Sequence, residues 1–336
     1  METGSGRALI LEAPGRLSLV ERDLGPPGPG ELLVRVEAAT TCGTDLKAWR
    51  RGHPQIPMPG PFGHEWAGIV AAAGEGARFE AGDAIMGVHS APCRTCLWCR
   101  RDQENLCESI MATKVLGSYA QMLLVPKRIA DVNVAPKPRD LPFGEAAMIE
   151  PLACAVQGIL ELRKAGAYLG EDARALVIGP GAIGLMFVAL LRRAGVAVDL
   201  AGRNPERLAV GEQLGARILG LDEARNGYDV AIEATGQVEI WERSVEFVRR
   251  GGHVLLFGGP PGGTRASFDT HRLHYDQITL LSPFHFGTRA VREAAEALPT
   301  LGLGVLLSGD RTLDEMDATF RDLEAGRGIK YVVRPS

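Results

Sequence analysis

The stretch Ala175-Leu176-Val177-Ile178-Gly179-Pro180-Gly181-Ala182-Ile183-Gly184 decides the fold of the second half of the chain. Four apolar residues read as a short buried strand. A G-x-G-x-x-G turn follows, then a helix over 182–194 whose residues 182–191 are apolar on nearly every face, which predicts that it is buried. The motif acquires meaning from this context, between a strand and the helix it opens. Gly179 makes the tight turn, Gly181 lets a pyrophosphate approach the backbone, and Gly184 lets helix and strand pack closely. At Ala182 and Ile183 the helix N-terminus offers N–H groups and a partial positive charge to a phosphate.

Working outward, residues 152–163 read as helix, 196–201 as strand, 205–214 as helix, 216–219 and 228–233 as strands, 238–248 as helix and 253–257 as strand. Strands alternating with helices of about ten residues predict an α/β domain with a parallel sheet and helical crossovers. Which dinucleotide it takes depends on the tip of the second strand, where an acidic residue would hold a ribose 2′-OH. Asp199 is a candidate, but Leu200 and Ala201 continue the strand. The tip is then Gly202-Arg203, a small residue and a cation with room for a 2′-phosphate. This favours NADP, with NAD as the alternative.

Residues 1–150 have another texture. Short β-like runs such as Leu32-Leu33-Val34-Arg35-Val36, Ala67-Gly68-Ile69-Val70-Ala71 and Ala120-Gln121-Met122-Leu123-Leu124-Val125 are separated by Gly and Pro. They predict a mostly antiparallel β domain. The tail, residues 286–336, carries a helix, then residues 319–325, then the amphipathic strand Ile329-Lys330-Tyr331-Val332-Val333, expected to return to the first domain.

Composition narrows the function. The 336 residues are 46% hydrophobic and 23% charged, with a net charge of −4, so no basic excess exists to hold a nucleic-acid backbone. Arg100-Arg101 is cancelled by Asp102, Glu104 and Glu108. The start, Met1-Glu2-Thr3-Gly4-Ser5-Gly6, has neither a basic cluster nor an apolar run, and the longest apolar run, 182–191, is too short for a bilayer. A cytoplasmic protein with no membrane and no nucleic-acid partner is expected.

Four of six cysteines form Cys93-x2-Cys96-x2-Cys99-x7-Cys107, in a loop of about 90–110. Four thiolates close a tetrahedron around Zn²⁺ and make a structural site; an iron–sulfur cluster shares the spacing, with zinc ahead. A second set is more dispersed. Cys42-Gly43-Thr44-Asp45 is expected in a polar turn after a strand, and Gly63-His64-Glu65 begins the next strand. Glu150-Pro151 is expected where a helix breaks, because the residue before Pro avoids the α region. A thiolate, an imidazole and a carboxylate make three zinc ligands and leave a position open, as catalytic zinc requires.

Cys-Gly-Thr-Asp, Gly63-His64-Glu65-x2-Gly68-x5-Gly74-x2-Ala77, the four-cysteine loop, Glu150-Pro151-Leu152 and the glycine turn occur in one order along the chain. In this the chain resembles the zinc-containing medium-chain alcohol dehydrogenases over essentially its whole length. It is most similar to their polyol, sugar and threonine branch, where a glutamate before Pro-Leu stands in place of a third cysteine. The resemblance implies a GroES-like domain of residues 1–151 and 286–336 and a Rossmann domain of residues 152–285. It implies two zinc ions per chain: a structural one on Cys93, Cys96, Cys99 and Cys107, and a catalytic one on Cys42 and His64 with Glu150 or Glu65 as third ligand. Asp45 would then fix the tautomer of His64. Thr44 would take the substrate's hydroxyl proton. Thr235-Gly236 and Gly258-Gly259 would lie along the nicotinamide. The implied reaction is hydride transfer between the CH–OH of a polyol, sugar or related secondary alcohol and NAD(P), in a homodimer or homotetramer. A simple alcohol or aldehyde reductase and a threonine-type dehydrogenase are the alternatives.

One departure stands out: relatives place a histidine five residues after the zinc cysteine, and here that residue is Lys47. His53 lies nearby and reads as a loop residue. Cys154 reads as a helix thiol, Trp66 as core or cleft wall, and His271 and His274 as turn residues. Trp49, Phe284 and His285 are candidate cleft-lining residues.

Overall fold

A computed structural model describes residues 4–335. The chain forms two compact units. The first contains residues up to Ala153, Phe286–Pro299 and those from Leu307 onward; the second contains Cys154–His285 and Thr300–Leu306.

In the second unit, the described residues form a six-stranded sheet. Its order is Arg217–Leu219, Ala197–Ala201, Arg174–Ile178, Tyr228–Glu233, Val248–Leu256 and Thr279–Leu281. Every adjacent pair is parallel. In chain order this is 3-2-1-4-5-6, the doubly wound arrangement in which ligands bind beyond the carboxyl ends of the strands. The strand Arg174–Ile178 lies inside the sheet with Ala175 through Ile178 buried, which explains its unbroken apolar run. The helix Ala182–Arg193 buries Leu185, Met186, Phe187, Val188 and Leu191. Gly184 permits this packing, since a Cβ there would stand 1.9 Å from the carbonyl oxygen of Gly179.

The first unit holds two sheets. Ser5–Ala13 pairs antiparallel with Arg16–Asp23 and Gly60–Pro61. In the larger sheet Leu32–Thr40 is central, flanked antiparallel by Trp66–Ala73, Met122–Val125 and the C-terminal Lys330–Arg334. Among the described residues the one parallel pair there joins Leu307–Thr312 to Lys330–Arg334. The tail is therefore part of this unit's sheet. Phe62, Trp66, Tyr119 and Phe320 are fully buried in its core. Phe320, on the helix Met316–Glu324, stacks on Trp49 with ring centres 5.8 Å apart and lies 5.5 Å from Phe62.

Three local expectations are corrected. Cys42-Gly43-Thr44-Asp45 does not remain a turn. Cys42 caps the helix Gly43–Arg51, its sulfur accepting the Thr44 N–H, with Asp45 favourably placed in the first turn. Glu150-Pro151 does not break a helix. Both lie in the first turn of Ile149–Lys164, where proline's missing N–H has no helical partner to lose. His271 and His274 sit on the short helix Thr270–Tyr275 and pack on the Tyr275 ring, rather than in a turn. Among the described residues no helix is long and apolar enough to cross a membrane.

Removing the Phe320 ring deletes aromatic contacts from the tail's hold on the core. Phe320→Ala should lower unfolding stability by about 3–5 kcal/mol, read as a shift in denaturant midpoint. A loss under about 1 kcal/mol would show that the tail packs only loosely.

Candidate metal and dinucleotide sites

The strand Leu32–Thr40 delivers Cys42, and the adjoining strand Trp66–Ala73 begins just after His64 and Glu65. Their backbones meet where the Thr40 N–H donates to the Glu65 carbonyl. The register therefore brings together residues distant in sequence. Cys42, His64 and Glu65 each offer a ligand atom, and these atoms lie within 4.8 Å of one another. His64 and Glu65 are buried, and Cys42 is half-buried.

Each ligand has fixed surroundings. His64 Nδ1 lies 3.0 Å from Asp45 Oδ1, and the Tyr119 hydroxyl donates to Asp45 Oδ2 at 2.6 Å. A proton on Nδ1 leaves Nε2 as the ligand nitrogen. Burial opposes a charge on His64, yet Asp45 and Cys42 outweigh it and lift its pKa well above the ordinary value. A field that attracts a proton also attracts a dication. Glu65 Oε2 accepts from the Thr40 hydroxyl and from Lys330. Its Oε1 is buried with no hydrogen-bond partner, a costly state for a carboxylate oxygen unless a cation meets it. The donor set thus fits zinc.

Glu150 lies outside that trio, with Oε1 3.2 Å from Nδ1 of the buried His89. The His89 ring is 5.1 Å from the His64 ring and 5.8 Å from Phe286. Burial, helped by the charges of His64 and Lys114, holds its pKa well below the ordinary value. Thr44 is half-buried in the first turn beside Cys42, and Lys47 is exposed. His53 lies in a bridged loop, its Nδ1 accepting the Gln55 N–H. Trp66 is core, whereas Trp49 is buried against Phe320 and Phe284 is half exposed.

Sequence reasoning missed His89, Tyr119 and Lys330. Lys330 shows in the sequence only as a cation at the head of the strand Lys330–Arg334, with nothing local to it that points to Glu65. Tyr119 resembles any buried aromatic, and its role depends on a partner 74 positions away.

The second cysteine set also converges. The sulfurs of Cys93, Cys96, Cys99 and Cys107 lie within 4.8 Å of one another and form no disulfide. Cys93 to Cys99 is 3.9 Å and Cys96 to Cys99 is 3.6 Å. A tetrahedron with metal–sulfur bonds of 2.3 Å has edges of about 3.8 Å, so the spacing suits zinc. Hydrogen bonds from Thr95 and the backbone pull Cys93 down to about 5, whereas burial and the Cys96 thiol push Cys99 up to about 12. Four sulfurs so close cannot all ionise without a cation among them.

In the second unit, Gly181 caps the helix Ala182–Arg193 without any side-chain hydrogen bond, and a Cβ on it would meet nothing within 4 Å. Bare N–H groups below open space suit a pyrophosphate. At the end of Tyr228–Glu233, Glu233 Oε1 accepts from the Thr235 hydroxyl and from the N–H groups of Thr235 and Gly236. Gly258 packs against that turn, its N–H donating to the Glu233 carbonyl. Asp199 lies within its strand, gripped by Arg217 through two bonds of 2.7 Å and by the Tyr228 hydroxyl at 2.5 Å. The strand ends at Ala201. A side chain on Gly202 would strike Pro180 at 2.3 Å, so no carboxylate fits at the tip. Arg203 is exposed, and no ion pair among the described residues involves it.

With this geometry in view, comparison with known proteins is informative. An alcohol dehydrogenase GroES-like domain model matches residues 28–139, and a zinc-binding dehydrogenase model matches residues 182–301. D-altritol 5-dehydrogenase of Agrobacterium fabrum is 32% identical over 325 residues, covering 92% of this chain and 93% of that protein. The chain belongs to the zinc-containing medium-chain alcohol dehydrogenases. Within them it is similar to L-threonine 3-dehydrogenase of Deinococcus deserti, 31% identical over 77% of this chain and 78% of that one. This places it in the polyol- and threonine-type branch. A zinc-binding dehydrogenase of Sinorhizobium meliloti 1021, solved bound to NADP, superposes with a TM-score of 0.87 at 29% identity, covering 98% of this chain and 99% of that one. An alcohol dehydrogenase of Thermus sp. ATN1 gives 0.87 at 26% identity over 98% and 100%. As a member of this family, the protein is an NAD(P)-dependent alcohol dehydrogenase-type enzyme with a GroES-like and a Rossmann-like domain.

The Asp199 cluster gives a pH test of the sheet edge. Burial alone would raise its pKa, but the Arg217 and Tyr228 hydrogen bonds and the Arg217 and Arg174 charges outweigh it and hold it below the ordinary 3.8. Its stabilisation is thus complete above that value and lost as pH falls through the lower, folded one. Thermal melts should show Asp199→Asn less stable than the parent at neutral pH, with the gap closing in acid below about pH 4. A gap that ignores pH would mean that the charge does not hold this edge.

Proposed function

We propose that the protein oxidises a secondary alcohol of a polyol or sugar, or reduces the matching ketone, with NADP preferred and two zinc ions per chain. The observation that carries this reading is the convergence of Cys42, His64 and the unpartnered Oε1 of Glu65. Cys42, His64 and Glu65 would hold the catalytic ion, with Glu65 rather than Glu150 as third ligand. Cys93, Cys96, Cys99 and Cys107 would hold the structural one. Bound zinc supplies Lewis acidity that acidifies an alcohol, and the nicotinamide supplies the hydride acceptor.

The chain's own residues do the rest. Asp45, tied to Tyr119, keeps the proton of His64 on Nδ1. Thr44 Oγ1 would accept a hydrogen bond from the substrate's hydroxyl and begin the proton's path to solvent, releasing its own proton outward as it receives the substrate's. The N-terminus of Ala182–Arg193, with Gly179, Gly181, Ala182, Ile183 and Gly184, receives the pyrophosphate. Glu233 holds the Thr235–Gly236 turn, and with Gly258 it forms a backbone shelf for the nicotinamide half. His89 and Glu150 put paired polar groups beside the ligands, which suits a hydroxyl-rich substrate better than a hydrocarbon. The relation to D-altritol 5-dehydrogenase supports a polyol. L-Threonine, also a secondary alcohol, is the second reading, supported by the relation to L-threonine 3-dehydrogenase.

The test is a panel of hexitols, their ketoses and L-threonine with each dinucleotide, with metal content measured on the same sample. Cys42→Ser should lower zinc from two ions to one and abolish turnover, while dinucleotide binding persists. Retained turnover in a zinc-depleted variant would overturn the reading. Arg203→Ala should raise KM for NADP roughly tenfold or more by removing a charge-assisted phosphate contact, with little change for NAD. Equal effects on both would refute the 2′-phosphate assignment.

A further inference from the structure

Lys330 opens the C-terminal strand Lys330–Arg334 and is 1% exposed. Lysine is almost never fully buried without a partner, so its position needs a reason. Its Nζ donates to Glu65 Oε2 at 2.6 Å and to the Thr41 carbonyl at 2.7 Å. The strand cannot easily slide away. The Thr41 N–H donates to the Tyr331 carbonyl, the Tyr331 N–H donates to the Thr41 hydroxyl, and Val332 and Val333 pair with Thr40 and Ala39.

The two oxygens of Glu65 are therefore unlike. Oε2 is occupied by an ammonium and a hydroxyl, while Oε1 is buried and unpartnered. A free carboxylate can offer a metal either oxygen or both. Here one oxygen is withdrawn.

We propose that Lys330 is a positioning residue for the metal site: by engaging Oε2 it makes Glu65 a one-oxygen ligand through Oε1. This rests on the reading of Cys42, His64 and Glu65 as zinc ligands. It adds a residue that touches neither metal nor substrate and comes from the far end of the chain.

The test uses the full-length protein loaded with zinc, and a parallel preparation loaded with Co²⁺. In Lys330→Met, zinc at the Cys42 site should be lost to a chelator roughly tenfold or more faster than in the parent, in line with outer-shell substitutions at metal sites. The visible Co²⁺ bands of that site should shift as the carboxylate is freed. Zinc in the four-cysteine loop and dinucleotide binding should persist, which separates the effect from misfolding. Lys330→Arg should restore both chelator resistance and the parental bands. Should Lys330→Met fail to fold, Lys330→Leu, which likewise has no N–H to offer Oε2, carries the same expectation. Unchanged bands and chelator rate in a folded variant would overturn the role of Lys330 alone. A parent that binds no ion at Cys42 would instead overturn the ligand assignment beneath it.

Discussion

A buried carboxylate oxygen without a hydrogen-bond partner is the constraint around which the first unit is arranged. Glu65 Oε1 is buried, and a thiol and an imidazole offer ligand atoms close by. Such a group is tolerated only if a cation completes it, and each surrounding residue prepares for that cation. Asp45 and Tyr119 orient the imidazole, and the Thr40 hydroxyl and Lys330 hold the other carboxylate oxygen. The antiparallel register of Leu32–Thr40 with Trp66–Ala73 brings these groups together. A slip of one residue would turn alternate side chains to the opposite face and disperse them.

The second unit meets a different demand with backbone alone. Its turn presents uncapped N–H groups beneath an open space, and the packing of Gly184 against Gly179 keeps the helix close to the strand. Around it, charges are spent on architecture. Asp199, which could have met a ribose, is consumed by Arg217 and Tyr228. The same crowding that excludes a carboxylate from Gly202 leaves Arg203 as the charge nearest the strand tip.

Much of this was legible in the residues. The glycine turn between an apolar strand and an apolar helix announced the parallel sheet, and the four-cysteine spacing announced its loop. Both signals are local, so they survive without knowledge of the fold. The turn expected at Cys42 was a helix start because a sulfur can cap as an oxygen does. The break expected at Glu150-Pro151 was a helix start because proline is tolerated in a first turn. Spacing does not separate Glu65 from Glu150 as candidate ligands, because what lies across from each is set by the fold. Lys330 and Tyr119 were invisible as site residues for the same reason, since their meaning depends on strand pairing between distant segments.

The pairing of Lys330–Arg334 with Leu32–Thr40 has a consequence for biosynthesis. The strand that closes the first unit is translated after the whole of Cys154–His285. The nucleotide-binding unit can therefore mature while its elder neighbour, begun first, still waits for an edge. Until that late segment docks, Glu65 lacks its ammonium partner and the cage for the ion is unfinished. On the ligand assignment proposed above, metallation of Cys42 and His64 would then be an event of the completed polypeptide, whereas the four-cysteine loop, whose sulfurs lie close together in sequence, could capture its ion on the nascent chain.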